Sequence, residues 1–320
     1  MDTKFINKSI CFLGDSITEH GHYLYDIRSY FHNKPEKVFV HNCGTGGNRA
    51  IMAQYILDKE IEVYNPDFVV ISFGVNDMGV WLYDSNKTVT ERLLEKRKAR
   101  DDEYYLGIST AIDMIKERGI TPVIMSPFSV NEFLVEKEGI ETLADNNEKE
   151  DYIGPSFYKR ATFRNINNAL ENYSKNLKDM AEYAGALYIP LFESSKKYLT
   201  PNNDLFNADG VHCSMAGHEL IAKTVLNFLG CEVDSSLSEK SDLNDEIAKW
   251  EKIERRAGSL KRGSFNPMYG KFDEERVISR AKELLKAPEE WRKEVGKYYL
   301  EYGNKTNELR EKLVRLIKNF

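Results

Sequence analysis

Ile10-Cys11-Phe12-Leu13 is an uninterrupted apolar run halted by Gly14. A run this short, without polar alternation, fits a strand buried on both faces, and such strands belong to parallel sheets covered by helices on either side. The sign recurs at Lys37–His41, Phe68–Phe73, Thr121–Met125 and Ala186–Ile189. Helical spacings fill the intervals: Leu24, Ile27 and Phe31; Ile51, Tyr55 and Ile56; Leu106, Ala111, Ile112 and Ile115; then Ile166 to Tyr183. Ser214 to Leu229 closes the series with Ile221, Val225 and Phe228 on one face. Strands alternating with helices predict an α/β fold with a parallel five-stranded sheet.

Two polar stretches interrupt the pattern, 78–102 and 126–162, and stretches of this length in a compact domain are expected to be lids or binding loops. The basic run Lys96–Arg100 reads as a solvated helix face. Beyond about residue 234 the character changes. Residues 235–320 carry a net charge of +4 and the preceding part −10, within a total of −6. The tail shows only helical periodicities, at Leu243, Ile247, Trp250 and Ile253, at Val277, Ile278, Ala281 and Leu285, at Trp291, Val295 and Tyr298, and at Leu309, Leu313 and Leu316. The expected division is therefore a domain at 1–234 and a C-terminal all-α extension at 235–320. No internal repeat is present.

No apolar run approaches the roughly 20 residues of a membrane span. Met1 to Ser9 leads directly into the first strand without a signal-peptide core. The 4 cysteines, Cys11, Cys43, Cys213 and Cys231, form no C-x-x-C and read as reduced thiols, so a cytoplasmic chain is expected.

The residues that carry chemistry stand at strand ends. Ser16 follows the first strand, in the crevice where open α/β sheets bind ligands. It has an alternative reading, because Ser16 with Glu19 also fits the S-x-x-E capping box. Gly44-Thr45-Gly46-Gly47 follows the second strand. It fails as a dinucleotide loop, since Arg49 stands where a third glycine is needed. Asn76-Asp77 follows the third strand and also fits ordinary turn chemistry. Asp209-Gly210-Val211-His212 precedes the last helix, close enough for Asp209 to hold the His212 ring. Acyl transfer requires a nucleophile, a base, a group to orient the base and donors for an oxyanion, and these four pieces can supply them.

Gly14-Asp15-Ser16, the glycine loop ending at Gly47, Gly74-Val75-Asn76-Asp77 and Asp209–His212 occur in the order found in the SGNH (GDSL-type) serine hydrolases, which residues 8–230 resemble. The resemblance implies a three-layer α/β/α flavodoxin-like domain and an esterase or deacylase needing no metal or other cofactor. It implies Ser16 as nucleophile, His212 as general base and acid, and Asp209 as orienting carboxylate. The Ser16 and Gly47 backbone N–H groups and the Asn76 amide would form the oxyanion hole, with Asp15 and Asp77 supporting their turns. Asn48 departs from the family, many members of which carry Asp there. Cys43 and Cys213 flank site residues as rival nucleophiles. His20-x-His22 suggests a metal, but no third ligand follows in a recognisable pattern.

Trp81, Tyr83, Phe128, Tyr152, Phe157 and Tyr158 lie in the polar stretches, either to stack on sugar rings or to pack the loops. Carbohydrate O-deacetylation is the favoured activity, with lysophospholipid or thioester hydrolysis as the alternative. A reading from a different class makes the tail the working part. Asn266-Pro267-Met268-Tyr269-Gly270-Lys271 resembles a short modular DNA-binding motif, yet +4 is modest for phosphate binding and no basic stripe is present. Nucleic acid is therefore not the expected partner, and a homo-oligomer or protein partner docking on the tail helices is preferred.

Overall fold

The computed structural model describes residues 1–132 and 163–233, apart from 33, 86, 201, 202 and 208, together with Leu237 and the segments 265–266 and 271–272. Its strands are β1 (Lys8–Gly14), β2 (Val38–Gly44), β3 (Phe68–Ser72), β4 (Thr121–Met125) and β5 (Leu187–Ile189). All pair in parallel, in the order β2-β1-β3-β4-β5. This is the flavodoxin-like order, in which the chain reverses direction across the sheet at β1 and opens a crevice at the carboxyl ends of β1 and β3.

The helices are α1 (Ser16–His20), α2 (His22–His32), α3 (Ala53–Tyr64), α4 (Val75–Met78), α5 (Glu91–Glu117), α6 (Ile166–Ala184), α7 (Leu191–Lys196) and α8 (Met215–Phe228). The apolar runs are continuous because both faces of the sheet are covered. Along β1, Cys11 and Leu13 pack with Leu57 of α3, Ile108 and Ile112 of α5 and Leu170 of α6. Ile10 and Phe12 face the other way, onto Leu24 and Ile27 of α2 and Ile221 and Val225 of α8. The outcome is the expected three-layer α/β/α arrangement.

Three expectations change. Residues 78–102 are not a lid: a 3-10 turn at Val80–Tyr83 leads into α5, whose 27 residues begin at Glu91. At 1.5 Å per residue this helix is about 40 Å long. Thr90 Oγ1 caps it by accepting from the Leu93 N–H at 3.2 Å. Lys98 and Asp102 pair one turn apart at 2.6 Å on its exposed face. The basic run is only partly solvated, because the Arg97 guanidinium lies 4.1 Å over the Tyr83 ring and that of Arg100 4.8 Å over Trp81. In the second polar stretch, Ser126 to Asn131 is buried, and Asn167 holds it by accepting from Val130 N–H and donating to Val130 O.

Residues 133–162, with Tyr152, Phe157 and Tyr158, lie outside the described residues, as do the helices expected at 241–320. Within the tail, β6 (Phe265–Asn266) and β7 (Lys271–Phe272) pair antiparallel, a detail the expectation of an all-α tail lacked. Two residues per strand are too few to show an alternating pattern. Among the described residues no helix is long and apolar enough to cross a membrane.

Candidate active site

Gly14 ends β1 where a side chain cannot fit: a Cβ there would lie 2.3 Å from Thr18 Oγ1 and 2.8 Å from Ser72 O. Asp15 then caps α1, its Oδ1 accepting from the Ile17 N–H at 3.0 Å. Burial pushes the Asp15 carboxyl up to about 6, against the pull of that hydrogen bond and of His212. Ser16 is the first helical residue, not the cap, and the Glu19 side chain turns away from the helix start to accept from the Gly46 N–H at 2.6 Å. The capping-box reading of Ser16 and Glu19 is thereby excluded. The Ser16 hydroxyl meets His212 Nε2 at 2.9 Å instead.

His212 sits in the loop before α8, whose cap is Ser214. An antiparallel bridge between Phe206 and Cys213 closes the base of this loop, and Asn207 N–H donates to His212 O at 2.8 Å. Asp209 Oδ1 accepts from the backbone N–H groups of Val211 and His212 at 2.9 and 2.8 Å, which leaves Oδ2 for His212 Nδ1 at 2.6 Å. Burial alone would raise the Asp209 carboxyl, but the hydrogen bonds from His212 and Val211 outweigh it and hold the group below its ordinary value. An ionised carboxylate only accepts, so Nδ1 carries the ring proton and Nε2 is left to accept from the Ser16 hydroxyl.

Opposite lies the glycine loop, pressed onto α1. A Cβ on Gly44 would fall 2.2 Å from Glu19 N. The N–H groups that follow are bound in turn: Gly44 to Asn42 Oδ1 at 2.9 Å, Thr45 to Gly14 O at 2.9 Å, Gly46 to Glu19 Oε2 at 2.6 Å and Asn48 to Thr45 O at 3.1 Å. Gly47 is the exception. It is exposed, its φ is +77°, and its N–H has no acceptor among the described residues. The Ser16 N–H, at the first position of α1, also has none, as expected for the start of a helix.

Asn76, in α4, donates from Nδ2 to Asn48 O at 3.1 Å, joining the third strand's turn to the glycine loop. Asp77 is buried beside it and accepts from the Ala50 N–H at 2.7 Å. Burial drives the Asp77 carboxyl up to about 7, partly opposed by that hydrogen bond. Helix α5 braces both arms. Gly107 packs so closely on Ala50 and Ile51 that a Cβ would be 2.3 Å from Ile51 N, and Tyr104 Oη donates to Phe73 O at 3.0 Å. The seven residues expected from the motifs, Asp15, Ser16, Gly47, Asn76, Asp77, Asp209 and His212, thus lie at or beside the carboxyl ends of β1, β2 and β3 or, through His212, against Ser16 there.

The other expected groups fare differently. Cys43 and Cys213 are buried, and burial raises the Cys213 thiol well above its ordinary value, so neither is placed to attack a substrate. Tyr83 and Phe128 are 5% and 2% exposed, so their rings are core and not faces offered to a sugar. Phe128 packs edge-on against Phe206 at 5.5 Å and lines a cleft with Ile17, Val75 and Pro127. Trp81 is half-buried under Arg100. The rings of His20 and His22 diverge: His20 lies 5.6 Å from His212, and His22 5.1 Å from His218. Sequence reasoning missed His20 as a neighbour of His212, although its position one turn after Ser16 on α1 carried the signal.

Residues 12–220 match the GDSL-like lipase/acylhydrolase family. No curated protein matches the chain in sequence. Among solved structures, a gut microbial diltiazem-metabolizing enzyme aligns with a TM-score of 0.70 at 15% identity, over 98% of this chain and 93% of that one. A catalytic mutant of Axe2, an acetylxylan esterase from Geobacillus stearothermophilus, aligns with a TM-score of 0.50 at 20% identity, over 72% of this chain and 98% of that one. At these identities the likeness is one of fold. The family match covers most of the chain, and with it the motif order read from the sequence: the protein is a carboxylic ester hydrolase belonging to the GDSL-like lipase/acylhydrolase family.

Proposed function

We propose that the protein hydrolyses esters through an acyl-enzyme on Ser16, and that its substrates are O-acetylated carbohydrates. The observation carrying the mechanism is the unbroken hydrogen-bond chain from Ser16 Oγ through the His212 ring to Asp209. Ser16 Oγ attacks the carbonyl carbon as its proton passes to His212 Nε2. The resulting imidazolium is held by Asp209, which already accepts from Nδ1. Negative charge gathering on the carbonyl oxygen is met by the Gly47 and Ser16 N–H groups and the Asn76 amide acting as donors. Collapse breaks the ester C–O bond, and His212 returns its proton to the departing alkoxide. Water then gives a proton to His212 and attacks the acyl group, and breakage of the bond to Ser16 Oγ, which takes that proton back from His212, releases the acid and restores the serine.

Two features support the acetyl reading. The stretches after β3 and β4, 78–102 and 126–162, are polar in sequence and hold no long aliphatic run. Each buried methylene of a fatty chain is worth about 0.8 kcal/mol only where an apolar wall receives it. The second is that Axe2, which shares the fold, is an acetylxylan esterase. The test is kcat/KM across activated esters from acetyl to octanoyl, run beside Ser16→Ala and followed by acetylated xylo-oligosaccharides. Highest values for acetyl and a loss on the order of 10³-fold or more in Ser16→Ala are expected. A profile rising with chain length rejects the acetyl reading, and full turnover without the Ser16 hydroxyl rejects the mechanism.

A further inference from the structure

We infer that Glu19 is a positioning residue for ester hydrolysis, acting through the backbone of the glycine loop to aim the Gly47 N–H. The inference rests on the proposed role of Gly47 as an oxyanion donor.

Glu19 lies on α1, three residues after Ser16, so the element that carries the nucleophile also carries this carboxyl group. Its side chain is 3% exposed, an unusual place for a glutamate on a short helix beside a crevice. One carboxyl oxygen accepts from the Gly46 N–H at 2.6 Å, the peptide immediately before the proposed donor. The approach is possible because position 44 has no side chain, a Cβ there falling 2.2 Å from Glu19 N. Asn42 closes the other side, donating to Glu19 O at 3.3 Å and accepting from Gly44 N–H at 2.9 Å. Glu19 therefore takes the last N–H before Gly47. With Gly44, Thr45, Gly46 and Asn48 all committed, the loop has one N–H left to offer, that of Gly47.

Oxyanion stabilisation depends steeply on geometry. Loss of one donor lowers turnover by about 10²–10³-fold, and a displacement of about 1 Å can lower it by about 10²-fold. A glycine-rich loop has little stiffness of its own, since glycine permits both signs of φ. Without its carboxyl anchor the Gly46 peptide is free to rotate, and the Gly47 N–H turns with it. Substrate contacts made elsewhere are untouched, so the effect falls on kcat and not on KM.

The test compares wild type with Glu19→Ala, Glu19→Asp and Glu19→Gln on an acetyl ester, with stoichiometric labelling by a fluorophosphonate to count competent Ser16. For Glu19→Ala, kcat per labelled site should fall by about 10²-fold with KM within about threefold. Glu19→Gln keeps an acceptor oxygen at the same reach and should recover to within about tenfold of wild type. Should Glu19→Ala not fold, Glu19→Asp, which retains the acid but is one methylene too short, should show the same kcat loss with intact folding. Per-site kcat unchanged in Glu19→Ala or Glu19→Asp overturns the inference, as does a loss shared equally by Glu19→Gln. Failure of the underlying acyl-enzyme reading, within which Gly47 serves as donor, is separately visible, as labelling and turnover that persist in Ser16→Ala.

Discussion

Ser9 Oγ and His41 Nε2 lie 2.8 Å apart, closer than the 2.9 Å between Ser16 Oγ and His212 Nε2. Among the described residues there are thus two hydrogen-bonded serine–histidine pairs, and distance does not separate them. Position does. Ser9 and His41 sit inside paired strands, Ser9 beside Phe39 in the register of β1 with β2, and His41 is fully buried with its ring stacked on Tyr64 at 4.4 Å. Ser16 stands past the strand end, in the crevice where a substrate can arrive.

Ser9→Ala should accordingly leave ester turnover within about twofold of wild type while lowering stability. Removing one partner of a buried hydrogen bond costs about 1–3 kcal/mol. Parallel kinetics and thermal melting check this. A loss of activity comparable to that in Ser16→Ala would mean that the buried pair takes part in the chemistry.

Asn76→Ala should lower kcat by about 10²–10³-fold and change KM little, since an oxyanion donor acts on charge that exists only in the transition state. The variant also severs the 3.1 Å bond to Asn48 O, so a small stability loss accompanies it. Steady-state kinetics decide: a raised KM with kcat intact places Asn76 in ground-state binding.

Gly44 and Gly47 should respond in opposite ways to alanine. A Cβ at Gly44 meets the backbone of Thr18 and Glu19 at 2.6 and 2.2 Å and forces α1 and the loop apart. At Gly47 nothing lies within 4 Å, and only the φ of +77° opposes a side chain. That strain is worth roughly 1–2 kcal/mol. Gly44→Ala should therefore lose several degrees more in melting temperature than Gly47→Ala. Equal losses would show that the loop does not press on α1.

Asp77→Asn tests the buried carboxyl near pH 7. Between the ordinary 3.8 and about 7, the folded protein holds a proton that the unfolded chain has released. Wild-type stability is therefore full below that window and declines as pH rises through it. Asparagine retains an acceptor for the Ala50 N–H but does not ionise. The stability of Asp77→Asn relative to wild type should climb from pH 4 to pH 7 and then level, by on the order of a few kcal/mol. Melting curves across this range check it, and a flat or falling difference refutes it.

The sheet was legible because five runs such as Ile10–Leu13 have both faces covered, and the site because strand ends bring distant motifs together. What escaped had specific causes. Residues 91–102 of α5 carry one buried apolar side chain, Leu93, so no stripe announced the helix and capping by Thr90 was its main sign. Tyr83 and Phe128 lie in stretches that are polar as a whole, so stacking on a sugar stood beside packing as a reading, and their burial decides for packing. Glu19 was hidden by a coincidence of pattern: S-x-x-E reads as a helix cap, and only the fold of Gly44 over Glu19 redirects its carboxyl group to Gly46.

Tyr104 and Gly107, within one turn of each other on α5, set a property that neither arm of the site has alone. Tyr104 holds Phe73 at the root of the Asn76 turn, and Gly107 seats Ala50–Ile51 just past the Gly47 loop. The gap between these arms is gauged against a single rod, like two pointers fixed to one shaft. A sheet motion that leaves α5 straight should carry both pointers together, whereas a kink in α5 between residues 104 and 107 would splay them.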